Sequence, residues 1–204
     1  MSVSGDWEAA VGLRVRRAPP ELVRQALRDS LRLACRETCR WTAVLPATVP
    51  PDWARTDGGE FPLAKPPEGC AVLRFLAVDW HRGGKLQYAW PEAFGFKRAG
   101  DGWRLVDNRG LVEGGDALAA LAALEPASTG NPLETVPEDV ATDLFAIVAA
   151  GAARTLLAMP GAPWGDAAAA AQAAWERQRE LGMATSRIHG DFAGGSRITG
   201  AIDA

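Results

Sequence analysis

Two helical periods separated by Pro160-Gly161-Ala162-Pro163-Trp164-Gly165-Asp166 constrain this chain more than any other feature of it. Proline lacks the amide that a helix interior needs, and its ring clashes with the preceding turn, so this segment must end one helix before another begins. The first helix opens at Thr135-Val136-Pro137-Glu138, where Thr135 is expected to cap the free amides, Glu138 to reach back to it, and Pro137 to fit the first turn. Val140, Leu144, Ile147, Val148, Leu156 and Met159 then recur at helical spacing, and Gly151-Ala152-Ala153 offers small residues where another backbone can pack closely. The second helix is expected from the cap Asp166 to Leu181, with Gly182 as a left-handed terminator. Together they predict a helical hairpin with a rigid elbow formed by Pro160, Pro163, Trp164 and Asp166, with Trp164 buried against the hairpin.

A further helix is expected over 19–41, entered through Ala18-Pro19-Pro20-Glu21, with proline and an acid where a helix start favours them. Val23, Leu27, Leu31, Ala34 and Thr38 space as its core-facing stripe, which ends near Trp41. Arg24, Arg28, Arg32, Arg36 and Arg40 fall four residues apart. On a helix of 3.6 residues per turn that spacing drifts about 40° per step, so the five side chains form a slanted stripe. Like charges four apart repel by roughly 0.2–0.5 kcal/mol per pair. Glu21, Asp29 and Glu37 precede Arg24, Arg32 and Arg40 by three residues and offset part of this, whereas Arg28 and Arg36 have no such acid. The stripe is either a solvated face, the usual fate of a charged helix surface, or a surface for a partner.

Shorter periods take over between residues 70 and 113. Cys70 to Trp80 and Leu86 to Trp90 flank Gly83-Gly84 as a β-hairpin, and His81 falls near its turn. Ala99-Gly100-Asp101-Gly102 is a second turn, and Asn108-Arg109-Gly110 a third. Residues 117–125 carry Leu every third position with Ala between, which favours a helix on propensity, although nine residues before Pro126 make a short one. The proline-dense segment 44–69 is expected to be a loop docked by Trp53 and Phe61. Residues 183–204 are glycine-rich and are expected to be an extended tail, in which Ile188, Phe192, Arg197 and Ile198 suit a segment that orders on a partner.

Composition narrows the classes. At 204 residues with 48% hydrophobic content the chain can bury one sizeable core, and two independent domains would each be small. Arg154 interrupts the longest apolar run, so no membrane span is expected, and Met1 to Glu8 has neither the basic start nor the apolar region of a signal peptide. The net charge of -3 lacks the global basic footprint of a nucleic-acid binder. Arginine joined by 8 Trp suits protein interfaces, where both residues act as anchors. Cys35, Cys39 and Cys70 lack structural zinc spacing, and the 2 histidines, His81 and His189, do not complete a site. No phosphate-binding glycine loop, nucleophile elbow or His-x-x-x-His pair is present, so no catalytic, cofactor-binding or metal site is expected.

Arg16-Arg17-Ala18-Pro19-Pro20-Glu21-Leu22-Val23-Arg24-Gln25-Ala26-Leu27-Arg28-Asp29-Ser30, followed by Cys35-Arg36-Glu37-Thr38-Cys39-Arg40-Trp41, resembles the opening of head-to-tail adaptor (connector) proteins of tailed bacteriophages. A second stretch is similar to the same family: a proline-led helix from Leu133, Ala149-Ala150-Gly151-Ala152, Leu156-Leu157, and Met159-Pro160 to Pro163-Trp164-Gly165-Asp166 before an Ala-rich helix. The two matches cover about half of the chain, and the middle segment carries no matching motif. The resemblance implies an α+β fold in a single adaptor domain over 1–204: an antiparallel helical bundle (18–41 and 135–182), an inserted small antiparallel β-sheet (42–134) with a strand at 117–125, and an extended C-terminal tail (183–204). It implies a virion structural protein, made in the host cytoplasm and placed at the capsid–tail junction. Such a protein is a dodecameric ring of copies of itself that docks on the portal protein, receives the tail or nozzle protein, and lets DNA pass through a central channel. No cofactor, catalysis or membrane is implied, and the interface residues expected are the five arginines of the stripe with the apolar and arginine residues of the tail. The alternative is a small helical DNA-binding or regulatory protein using the Arg-rich helix on phosphates, against which net acidity weighs.

Overall fold

The computed structural model describes residues 3–54, 59–100, 102–127 and 132–192. Along the chain lie α1 (Val3–Arg14), α2 (Pro20–Thr38), β1 (Thr42–Ala47), β2 (Gly59–Pro62), β3 (Cys70–Arg82), β4 (Lys85–Gln87), β5 (Phe94–Ala99), β6 (Gly102–Asp107), β7 (Ala117–Pro126), α3 (Pro132–Thr135), α4 (Glu138–Leu157) and α5 (Ala167–Phe192), with a short 3-10 turn at Pro91–Ala93. The chain separates into two compact units, one from the residues up to Trp41 and from Glu125 onward, the other from Thr42–Leu124.

In the helical unit α4 is the centre, packed against α1, α2 and α5. Every residue from Ile147 to Ala153 is buried, so this helix has no solvent face over that stretch. By length and composition α4 would suffice to cross a membrane, contrary to the reading that Arg154 breaks the run, but most of it is buried within the protein. The α2 stripe is as its periodicity predicts: Val23, Leu27, Leu31, Ala34 and Thr38 are buried, with Ala26, Ser30 and Cys35 beside them. Cys39 ends α2 in the left-handed conformation (φ 50°), its amide bonded to the Cys35 carbonyl. Helix α1, which was not expected, is anchored by the buried Trp7 and Val11, with Val15 buried just past its end at the same four-residue step.

The other unit holds a four-stranded sheet, order β1-β7-β3-β4, and a three-stranded sheet, order β2-β6-β5. β1 and β7 pair antiparallel from Thr42↔Ala123 to Ala47↔Leu118. The expected hairpin turns are present, with Gly83 (φ 56°) and Gly84 (φ 76°) between β3 and β4 and Gly100 (φ 60°) between β5 and β6. The two sheets are held together by aromatic packing: Phe75 of β3 stacks on Phe96 of β5 at 3.8 Å between centroids, and Trp103 of β6 meets Phe75 edge-on at 5.2 Å.

These observations correct the expected architecture. The fold is α+β, but not an antiparallel helical bundle carrying a small inserted sheet; of the expected extended tail, 183–192 are helical within α5 and 193–204 lie outside the described residues. Among the described residues there are seven strands in two antiparallel sheets, and the helices surround one central buried helix rather than sharing a bundle seam. The segment 44–69, expected to be a loop, contributes β1 and β2 because both lie at sheet edges, where Pro46 and Pro62 need donate no ladder bond. Residues 117–126 form a strand, since half-burial in a sheet overrides the helical propensity of Ala and Leu. Gly182 does not terminate α5, which runs on to Phe192. An exposed glycine costs a helix only about 1 kcal/mol, and Met183-Ala184 can continue the turn.

Candidate functional site

Four members of the arginine stripe find partners inside the helical unit. Arg24 donates to Glu8 of α1 at 3.1 Å, and Arg32 donates to the Ala127 carbonyl at 3.2 Å with Asp29 4.0 Å away. Arg36 grips Glu125 with two bonds of 2.6 and 3.2 Å, and Arg40 donates to Asp143 of α4 at 2.6 Å. The hydrogen bond and charge of Glu125 push the Arg36 pKa above its ordinary value. Arg36 was expected to seek a carboxylate on another molecule and instead has one within the chain. Arg28 differs: it is half-buried, and its Nε is buried without a hydrogen-bond partner.

Glu37 does not offset Arg40 as the spacing predicts. It pairs with Arg177 of α5, whose side chain is buried where α2, α4 and α5 converge. At that point Gly151 brings the backbones together: a Cβ there would lie 2.2 Å from Ser30 Oγ and 3.2 Å from the Arg177 side chain. Ser30 Oγ donates to the Val148 carbonyl at 2.9 Å, which satisfies a hydroxyl that would be costly to bury alone. The close approach expected of Gly151-Ala152-Ala153 is therefore realised.

The elbow is a closed structure. The Asp166 amide reaches back to the Leu157 carbonyl at 2.9 Å, the Gly165 amide bonds to Ala162 O at 2.9 Å, and Asp166 Oδ1 caps α5 by accepting from the amides of Ala168 and Ala169, both at 3.0 Å. Pro160 and Pro163 are exposed, and Trp164 is half-buried rather than fully enclosed, with its indole N–H buried and unpartnered. The expected capping box at the start of α4 does not form. Thr135 belongs to α3, and the N-cap of α4 is Pro137, with no side-chain cap bond. Of the expected tail contacts, Ile188 and Phe192 fall on the backbone of α5 while their side chains lie outside the described residues, as do Arg197 and Ile198 entirely.

The sheet unit presents a surface that was not singled out from the sequence. Trp80, Tyr88, Ala89, Trp90, Arg109 and Leu111 line a groove of about 470 Å³. Its floor is fixed by Asp116, whose carboxylate accepts from Trp80 Nε1 (2.9 Å), Arg82 Nε (3.0 Å), Arg82 Nη2 (2.8 Å) and the Glu113 amide (3.0 Å). Burial opposes ionisation of Asp116, but the bonds from Arg82, the Glu113 amide and the Trp80 indole outweigh it and hold the pKa down at about 2. One wall follows β4 and the other is the Asn108-Arg109-Gly110 turn. The buried Asp107 shapes that turn by accepting from the amides of Arg109 (3.1 Å) and Val112 (2.8 Å). Asn108 ties the walls together, donating from its amide to the Ala93 carbonyl at 2.9 Å and from Nδ2 to the Glu92 carbonyl at 3.1 Å. The legible signal is Tyr88-Ala89-Trp90-Pro91, two aromatics at alternate positions after the short strand β4 and ahead of the proline that opens the 3-10 turn. No family model matches this chain, and no curated protein matches it.

Proposed function

We propose that this chain is a structural adaptor of a tailed-phage virion, a ring-forming protein that docks on the portal and joins capsid to tail around a channel for DNA. The observation that carries this reading is the elbow. It is a locked turn between a central buried helix and a helix of 26 residues, in the second of the two stretches whose pairing carries the resemblance to adaptors. The arginine stripe supports it in reduced form. Arg24, Arg36 and Arg40 are engaged by carboxylates of the same chain and Arg32 by the Ala127 carbonyl and Asp29, which leaves the half-buried Arg28 as the stripe member without an ion pair among the described residues. The same ion pairs disfavour the alternative of an Arg-rich helix lying on DNA phosphates, because four of its five cations already face carboxylates of the chain. A ring requires heterologous contacts, and on this reading the face that carries Arg28 meets a different face of the next copy.

Co-sedimentation with a portal ring tests the reading. Full-length protein is expected to sediment with portal, Arg28→Glu to bind without completing rings, and protein ending at Phe192 to lose docking if residues 193–204 make the portal contact. Absence of full-length protein from the portal fraction would reject the adaptor assignment.

A further inference from the structure

In the sheet unit Trp90 is 76% exposed and Tyr88 69% exposed, beside an exposed arginine. Such aromatics at the rim of a groove are unusual for a surface meant only for water. Three features make the groove a built site. Its walls and floor are pinned by the Asn108, Asp107 and Asp116 hydrogen bonds described above, so binding requires little reordering. The Arg109 guanidinium has no ion-pair or hydrogen-bond partner among the described residues, although its backbone is held, whereas Arg82, deeper in the same region, is satisfied by Asp116, Glu113 and the Leu111 carbonyl. The third feature is that β4, the strand leading directly into Tyr88 and Trp90, is the outer strand of its sheet, with no further strand paired to its other side among the described residues.

We propose that the β4 edge and this groove together dock an extended acidic segment of a partner protein. The segment's backbone adds to β4, one of its carboxylates pairs with Arg109, and an apolar or aromatic side chain nearby packs against Trp80, Tyr88 and Trp90. Strand addition supplies the backbone bonds, and the groove supplies the selectivity for alternate side chains. Charge complementarity identifies the partner, since the one charged residue lining the groove is a cation without a counter-ion. A single-stranded nucleic acid would also stack on the aromatics, but it needs cations along its backbone, and Arg109 stands alone in the lining. This inference does not depend on ring formation.

The probe is a random peptide display library panned against the full chain. Enriched sequences are expected to carry Asp or Glu within about three residues of an aromatic or aliphatic residue, the reach of alternate positions on one strand. The corresponding synthetic peptides should change tryptophan emission saturably and lose affinity by about tenfold or more with Arg109→Glu and with Trp90→Ala. Arg109→Gln, which keeps the size and removes the charge, should weaken the acidic peptides as well. Both positions are exposed, so circular dichroism melts of the variants should match the parent. The proposal is overturned if no such sequences enrich, or if the enriched peptides bind the variants as tightly as the parent. Trp90-dependent binding of oligothymidylate with no peptide binding would assign the groove to nucleic acid instead.

Discussion

Gly151 is the position where one atom matters most. With Ser30 Oγ and the Arg177 side chain against its Cα, Gly151→Ala forces three helices apart, and we expect a loss of about 1–3 kcal/mol, measured as a lower urea midpoint with an unchanged slope. The junction was half legible in advance. The small residues pointed to a close approach, but the Glu37–Arg177 pair joins residues far apart in sequence, and nothing local distinguishes it from the Glu37–Arg40 spacing. Asp116 gives a pH-dependent expectation. Its folded pKa lies below the ordinary 3.8, at about 2, so its contribution is fully present above about pH 4 and is lost as the pH falls through 2. The shift corresponds to roughly 2 kcal/mol. Urea melts between pH 5 and pH 2 should show a shallower acid loss for Asp116→Asn than for the parent, starting from a lower stability at pH 5. Identical slopes would mean that Asp116 is not held ionised by Arg82 and Trp80.

At the scale of elements, the elbow and α2 were readable because proline punctuation and a 3.6-residue period act locally. The Asp166 cap should be worth about 1 kcal/mol, read as a drop in melting temperature for Asp166→Ala. Trp164 separates packing from polarity. Because its ring is only half-buried, Trp164→Ala should cost about 1–3 kcal/mol, below the ~3–5 of a fully enclosed Trp. Trp164→Phe should leave the melting temperature near the parent, since the buried indole N–H has no partner to lose. A Phe variant as damaged as the Ala variant would contradict this account of the elbow. Other elements were hidden for physical reasons. β1 and β2 carry prolines tolerated only because their neighbours leave one edge free, and that is known once the sheet order is known. In α1, Gly5 and Gly12 dilute the helical signal, and its place is secured by tertiary burial of Trp7, which stacks on Phe145 at 6.5 Å. The continuation of α5 past Gly182 shows the same weakness of local terminator rules when the following residues favour a helix.

For the whole molecule, the sequence supports reading a helical unit with a locked elbow more strongly than it does the extent of the sheets, which depend on pairings across the chain. The aromatic groove escaped the sequence reading because Trp80, Trp90 and Arg109 come together only after β3, β4 and the turn beyond β6 are placed. Assembly is the property on which the functional account depends, and it resides in surfaces rather than in any reactive group. Electron imaging of the full-length protein mixed with a portal ring tests it most directly. The account predicts a second, closed ring of this protein stacked coaxially on the portal, and it is contradicted if the portal rings remain bare while the protein stays monomeric.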